Sequence, residues 1–130
     1  MALQALVTVL CGVGLYASLF MLRKAAAAAR GELSEPSVVQ TPRARLFGGV
    51  PNAVLGACYY PALAIAIWFA AGRLELALLL AAALLAAGVS AILAYSLLFV
   101  TRMPCVYCWT SHGINWALAI CIVAFVAQQR

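Results

Sequence analysis

Cys105-Val-Tyr-Cys108 is the passage of this chain best equipped for chemistry. A thiolate attacks a disulfide sulfur or an electrophilic ring, and a second thiol three residues away can resolve the product into a disulfide. Pro104, just before the first cysteine, marks a helix start, where unpaired backbone N–H groups and the positive end of the helix dipole favour an anionic sulfur. Residues three and four apart share a helix face, so Cys105, Cys108, His112 and Asn115, with Ser111 beside them, form one reactive stripe. A counterpart lies upstream: Asn52, Gly56 and Tyr59 or Tyr60 recur at helical spacing, with a small residue between polar and aromatic ones. Two such stripes could enclose a flat ring.

Plainer readings stand beside these. The cysteine pair could be structural, and Cys105, Cys108 and His112 could begin a metal site, although no fourth ligand and no acidic residue to orient them is visible, so no metal is expected. His112 could serve only as a hydrogen bonder between helices, and Asn52 only as a helix cap. Cys11, Cys58 and Cys121 sit in apolar stretches, where thiols behave as small hydrophobes. Trp68, Phe69 and Trp116 read as packing residues or interfacial anchors, and Gly12, Gly14 and Gly88 as points of close helix approach.

The elements that position these residues must be membrane helices. Of 130 residues 68% are hydrophobic and 8% charged, whereas a soluble domain has about 25% charged residues. Four stretches, roughly 2–22, 51–71, 76–100 and 104–127, reach the ~20 residues needed to cross the hydrocarbon layer. The predicted fold is therefore all-α, an integral membrane four-helix bundle, with residues 1–130 forming a single domain and a long polar loop over 23–50. The first stretch is long for a signal-peptide core and is followed by Arg23 and Lys24, as in a retained anchor. With no soluble basic domain to carry it, the net charge of +5 points to membrane topology or anionic lipid and not to nucleic acid.

The short connections "AGRLE" and "TRMP" make neighbouring helices antiparallel, which puts the long loop and the cysteine pair on one face. That face holds Arg23, Lys24, Arg30, Arg43, Arg45 and Arg102, against Arg73 and Arg130 on the other. The positive-inside rule then favours the cytoplasm for the cysteine face.

Two segments, "TPRARLFGGVPNAVLGACYY" (Thr41 to Tyr60) and "MPCVYCWTSHGINWAL" (Met103 to Leu118), together with the four-span order, resemble the vitamin K epoxide reductase family. The resemblance implies a four-helix bundle that holds a quinone of the menaquinone or ubiquinone type beside the cysteine pair and couples dithiol oxidation to quinone reduction. It implies that Cys108 faces the quinone and that Cys105 exchanges disulfides with a thioredoxin-like partner. Asn52 matches the family's asparagine that hydrogen-bonds a quinone carbonyl, and His112 the position where members place a Tyr or His on the ring's other side. Tyr59 and Tyr60 belong to the same expected pocket.

One departure is plain. Family members usually carry a second cysteine pair in the first loop as an electron relay; here the expected later position is Glu35, and the loop from Arg23 to Gly49 contains no cysteine. Three arrangements would accommodate this: direct exchange between a thioredoxin-like protein and Cys105, a non-catalytic membrane subunit of a larger complex that keeps the fold, or a partner subunit that supplies the missing thiols. Most members place the active face outside the cytoplasm, where disulfides persist, and a minority are inverted; the charge count here sides with inversion.

Overall fold

The computed structural model describes residues 1–129; Arg130, counted above on the far face, lies outside the described residues. The described residues contain four α-helices: α1 (Ala2–Ala29), α2 (Asn52–Phe69), α3 (Arg73–Ser96) and α4 (Val106–Gln128). Each is long and apolar enough to cross a membrane.

The helix ends follow from local chemistry. The alanines Ala25 to Ala29, strong helix formers, carry α1 beyond the expected limit near residue 22. Gly31, at φ +72°, then stops it: Gly31 N–H donates to the Ala28 carbonyl and Glu32 N–H to the Ala27 carbonyl, both at 3.0 Å, the paired bonds of a Schellman motif. At the far face α3 starts three residues before the expected span because Glu75 accepts from the backbone N–H groups of Ala71 (2.9 Å) and Gly72 (2.8 Å). The end of α3 widens into a π-helical segment, Leu97–Thr101, which the sequence pattern did not foretell. Arg102 closes it in the left-handed conformation at φ 51°, its N–H donating to the Leu97 carbonyl at 3.0 Å and its Nε to the Phe99 carbonyl at 3.2 Å. That conformation costs a non-glycine residue about 1–2 kcal/mol, and it turns the chain sharply into Pro104 and the cysteine pair.

The helices do not pack as a symmetric square. α1 lies against α2 and α4, and α3 against α4, but α2 and α3 scarcely touch. Val7 and Cys11 of α1, Leu63 and Ile67 of α2, and Leu118 and Ile122 of α4 fill the core. These residues all lie in the half of the bundle away from the cysteines, which leaves the cysteine half free to be hollow. Large side chains such as Val9, Ile65, Leu85 and Ile120 face outward, as suits contact with acyl chains. Cys11 is buried in the core, Cys58 exposed and Cys121 half-buried. Trp68 and Trp116 do more than anchor: their indole N–H groups donate to Thr8 Oγ1 (3.1 Å) and to the Ala87 carbonyl (3.2 Å) on neighbouring helices.

Of the three glycines expected at close approaches, Gly14 alone is at one. A Cβ built there would stand 2.5 Å from the ring of Tyr60, whereas Gly12 and Gly88 have open space around theirs. Tyr60 is 2% exposed and hydrogen-bonded, so its ring cannot easily yield. Gly14→Ala is expected to destabilise the bundle by about 1–3 kcal/mol, the usual range for overpacking, while Gly12→Ala leaves the melting temperature unchanged; thermal denaturation in detergent compares the two.

Candidate active site

Cys105 is the N-cap of α4, and Cys108 lies in its first turn. The two are joined by a disulfide with Cα atoms 5.3 Å apart, within the ordinary span of such bonds. The N–H of Cys108 donates to Cys105 Sγ at 3.2 Å, and the N–H of Trp109 donates to the Cys105 carbonyl at 3.1 Å. The sulfur thus takes the place that a Ser or Asp oxygen takes at other helix starts, and a negative charge developing on it would meet the first-turn N–H groups. Tyr107, between the cysteines, stacks on Phe20 of α1 with centroids 3.8 Å apart and planes 14° apart, which ties this turn to the neighbouring helix.

Beneath the pair lies a cavity of about 380 Å³, within the range of small-molecule sites. Cys108 lines it and Cys105 does not. Asn52, Tyr59, Tyr60 and His112 line it as well, so the structure brings the expected residues of α2 and α4 around one space. A second, apolar hollow runs on from it between α2 and α3, with Tyr59 and Ala82 common to both and Ala62, Leu63 and Ala66 along its wall.

Each residue stands differently from a simple stripe. Pro51 is the N-cap of α2 and Asn52 its first residue, so Asn52 does not cap the helix. It pins the loop instead: Oδ1 accepts from Leu46 N–H at 3.1 Å and Nδ2 donates to the Arg43 carbonyl at 2.7 Å, which leaves one N–H of the amide for a ligand. His112, 7% exposed, has the ring of Trp109 edge-on at 6.1 Å and that of Trp116 tilted at 6.4 Å. Tyr60 donates its hydroxyl to Asn115 Oδ1 at 3.0 Å, and Asn115 Nδ2 donates to Ser90 Oγ at 2.7 Å. This chain of bonds links α2, α4 and α3 across the inner end of the cavity.

Sequence reasoning missed two contributions. The first is the loop, expected only as a polar connection: Val38, Val39, Arg43, Arg45 and Phe47 close the cavity from above. The two short 3₁₀ turns, Val38–Gln40 and Pro42–Ala44, and the tight turn at Gly48 and Gly49, both at positive φ, fold it back over the helix ends. The second is a set of small hydroxyls, Ser18, Ser90 and Ser96, all buried and all on the cavity wall. Ser90 and Ser96 are the polar interruptions of an otherwise apolar third span, a signal present in the sequence but without helical spacing to the other candidates. Among the described residues no group of three or more His, Cys, Asp and Glu is placed to hold a metal ion.

Because Asn52 holds the loop by two bonds, Asn52→Ala is expected to speed tryptic cleavage after Arg43 and Arg45 severalfold in the intact membrane protein. Gel analysis of a digestion time course reads this, and an unchanged rate would contradict the pinning role.

Four helices apolar enough to span a membrane, with a disulfide-bonded Cys-x-x-Cys at the mouth of a cavity, define the class: a membrane oxidoreductase. The chain belongs to the Vitamin K epoxide reductase family, whose pattern it matches over residues 5–123, nearly its whole length. A search of curated proteins found no match. Family membership brings oxidoreductase activity, a link to quinones and a membrane setting.

Proposed function

We propose that this protein is a membrane thiol:quinone oxidoreductase that makes protein disulfides by passing two electrons from Cys105 and Cys108 to a quinone in the cavity. One observation carries the reading: Cys108 lines the cavity while Cys105, bonded to it and half-buried at the head of α4, is outside the cavity lining, so the pair leads from the cavity to the end of the bundle. The residues fit a quinone head group, since the cavity combines aromatic walls with a few hydrogen-bond donors and continues into an apolar hollow suited to an isoprenoid tail.

The balance is two thiols and one quinone giving one disulfide and one hydroquinone. The S–S bond forms between Cys105 and Cys108, two electrons reduce the ring, and the two thiol protons end on its two oxygens. Cys108 is the sulfur that faces the ring. Asn52, through its free amide N–H, and His112 donate to the carbonyl oxygens and stabilise the charge that grows there. Tyr59 and Tyr60 pack on the head group. The new disulfide passes from Cys105 to a soluble thioredoxin-like carrier, by direct exchange because the loop holds no cysteine relay. The charge distribution supports a cytoplasmic position for this face.

Redox-dependent alkylation tests the core of this reading. In membranes treated with reductant and then washed, added naphthoquinone or benzoquinone should protect Cys105 and Cys108 from maleimide by oxidising them, with one quinol formed per disulfide. Full labelling in the presence of quinone removes the mechanism. An impermeant maleimide applied to intact cells and to inverted vesicles tests the membrane side; cytoplasmic placement expects Cys105 to label in the inverted vesicles alone.

A further inference from the structure

Two buried side-chain oxygens in the described residues have no hydrogen-bond partner, Tyr59 Oη on α2 and Ser96 Oγ on α3. Both residues line the cavity. An unpaired hydroxyl inside a membrane bundle is costly, and a serine in a helix ordinarily settles the matter by donating to the carbonyl one turn back. Threonines of this chain do that: Thr8 Oγ1 donates to the Gln4 carbonyl and Thr110 Oγ1 to the Val106 carbonyl, each at 2.8 Å. Ser96 does not. It is 2% exposed and stands where α3 gives way to the π-helical segment Leu97–Thr101, a distortion that recurs at functional sites in helices. Tyr60, Asn115 and Ser90, also on the cavity wall, are bonded to one another, so among the described residues the fully buried side-chain oxygens without a partner are these two.

We infer that Ser96 of α3 and Tyr59 of α2, both on the cavity wall, are a second hydrogen-bonding pair for the bound quinone and hold the ring between the two helices. This rests on the quinone reading above. The two hydroxyls come from the two helices that scarcely touch, so a flat molecule with oxygens at opposite edges supplies the link that the protein itself lacks. Each carbonyl oxygen has two lone pairs, so these donors add to Asn52 and His112 and do not compete with them. Ser96 is a binding residue on this view.

The test uses the full chain purified in detergent, with Ser96→Ala and Tyr59→Phe as separate variants and a short-tailed naphthoquinone and a short-tailed dimethoxybenzoquinone as probes. Removing an unpaired buried hydroxyl should leave the melting temperature of the quinone-free protein unchanged or higher. The rise in melting temperature on adding quinone should shrink, and KM for quinone should increase about tenfold per variant, the factor that corresponds to 1.4 kcal/mol. The maleimide reactivity of reduced Cys105 should not change. A lower melting temperature without quinone, or a KM and thermal shift equal to wild type in both variants, overturns the inference and makes the hydroxyls structural. Absence of quinone reduction and of any thermal shift in the wild-type protein overturns instead the quinone reading on which it rests.

Discussion

Cys108→Ala is expected to lower the rate of quinone reduction by about a thousandfold or more, the scale seen when a nucleophile is removed from a site that otherwise stays intact. The reason is positional. Cys108 is the cysteine on the cavity wall, and no other thiol takes its place there: Cys11 is buried in the core on α1, and Cys58 and Cys121 are outside the cavity lining. Cys105 remains in this variant as a lone, half-buried thiol outside the cavity lining, with no Cys108 to resolve a mixed disulfide formed on it. Its thiolate can attack a single-cysteine carrier activated as a mixed disulfide with thionitrobenzoate, so a Cys105–carrier disulfide should form with release of thionitrobenzoate and then accumulate, visible as a band on a non-reducing gel that reductant abolishes. Stopped quinone turnover together with that trapped species is the expected pair of results; continued turnover would remove Cys108 from the reacting position.

Cys105→Ala is expected to give the complementary picture, with disulfide transfer to a thioredoxin-like carrier falling by a similar factor and no mixed disulfide forming. Quinone binding should survive, because Cys105 is not on the cavity wall and the tie between Tyr107 and Phe20 does not use it. Thermal stabilisation by quinone is thus retained while catalysis is lost, and calorimetry alongside a carrier-oxidation assay separates the two. A variant that still oxidises the carrier would mean that Cys108 reaches the surface, and the division of labour drawn from the cavity would fail. The double result distinguishes roles that two adjacent cysteines usually blur.

The parts of this protein that could be read from the chain are those written in the solvent and in local spacing. Four apolar runs separated by charge declare four helices because hydrocarbon admits little else, and Cys108, His112 and Asn115 share a face because helical geometry makes them do so, whereas Cys105, extended at the N-cap, leaves the expected stripe. Family membership agrees with the two segments that suggested it. What stayed hidden depends on which helices meet. Nothing in the third span says that it keeps apart from the second, so the cavity wall formed by Ser96 and Ser90 could not be placed. The two bonds from Asn52 to the loop depend on how the turn at Gly48 and Gly49 brings Arg43 and Leu46 to the head of α2. The π-segment before Arg102 is a backbone adjustment with no letter of its own; residues Leu97 to Thr101 would serve equally well in a regular helix.

On the proposed function, the separation of α2 and α3 along the hollow that continues from the cavity would let a hydrophobic oxidant reach Cys108 sideways, out of the bilayer, without first crossing water. The enzyme then samples a two-dimensional solution, and its half-saturation point is a mole fraction in lipid and not a molarity in buffer. Adding empty vesicles that fuse with the enzyme's own at constant total quinone should slow turnover in proportion to the added lipid, whereas adding buffer should not.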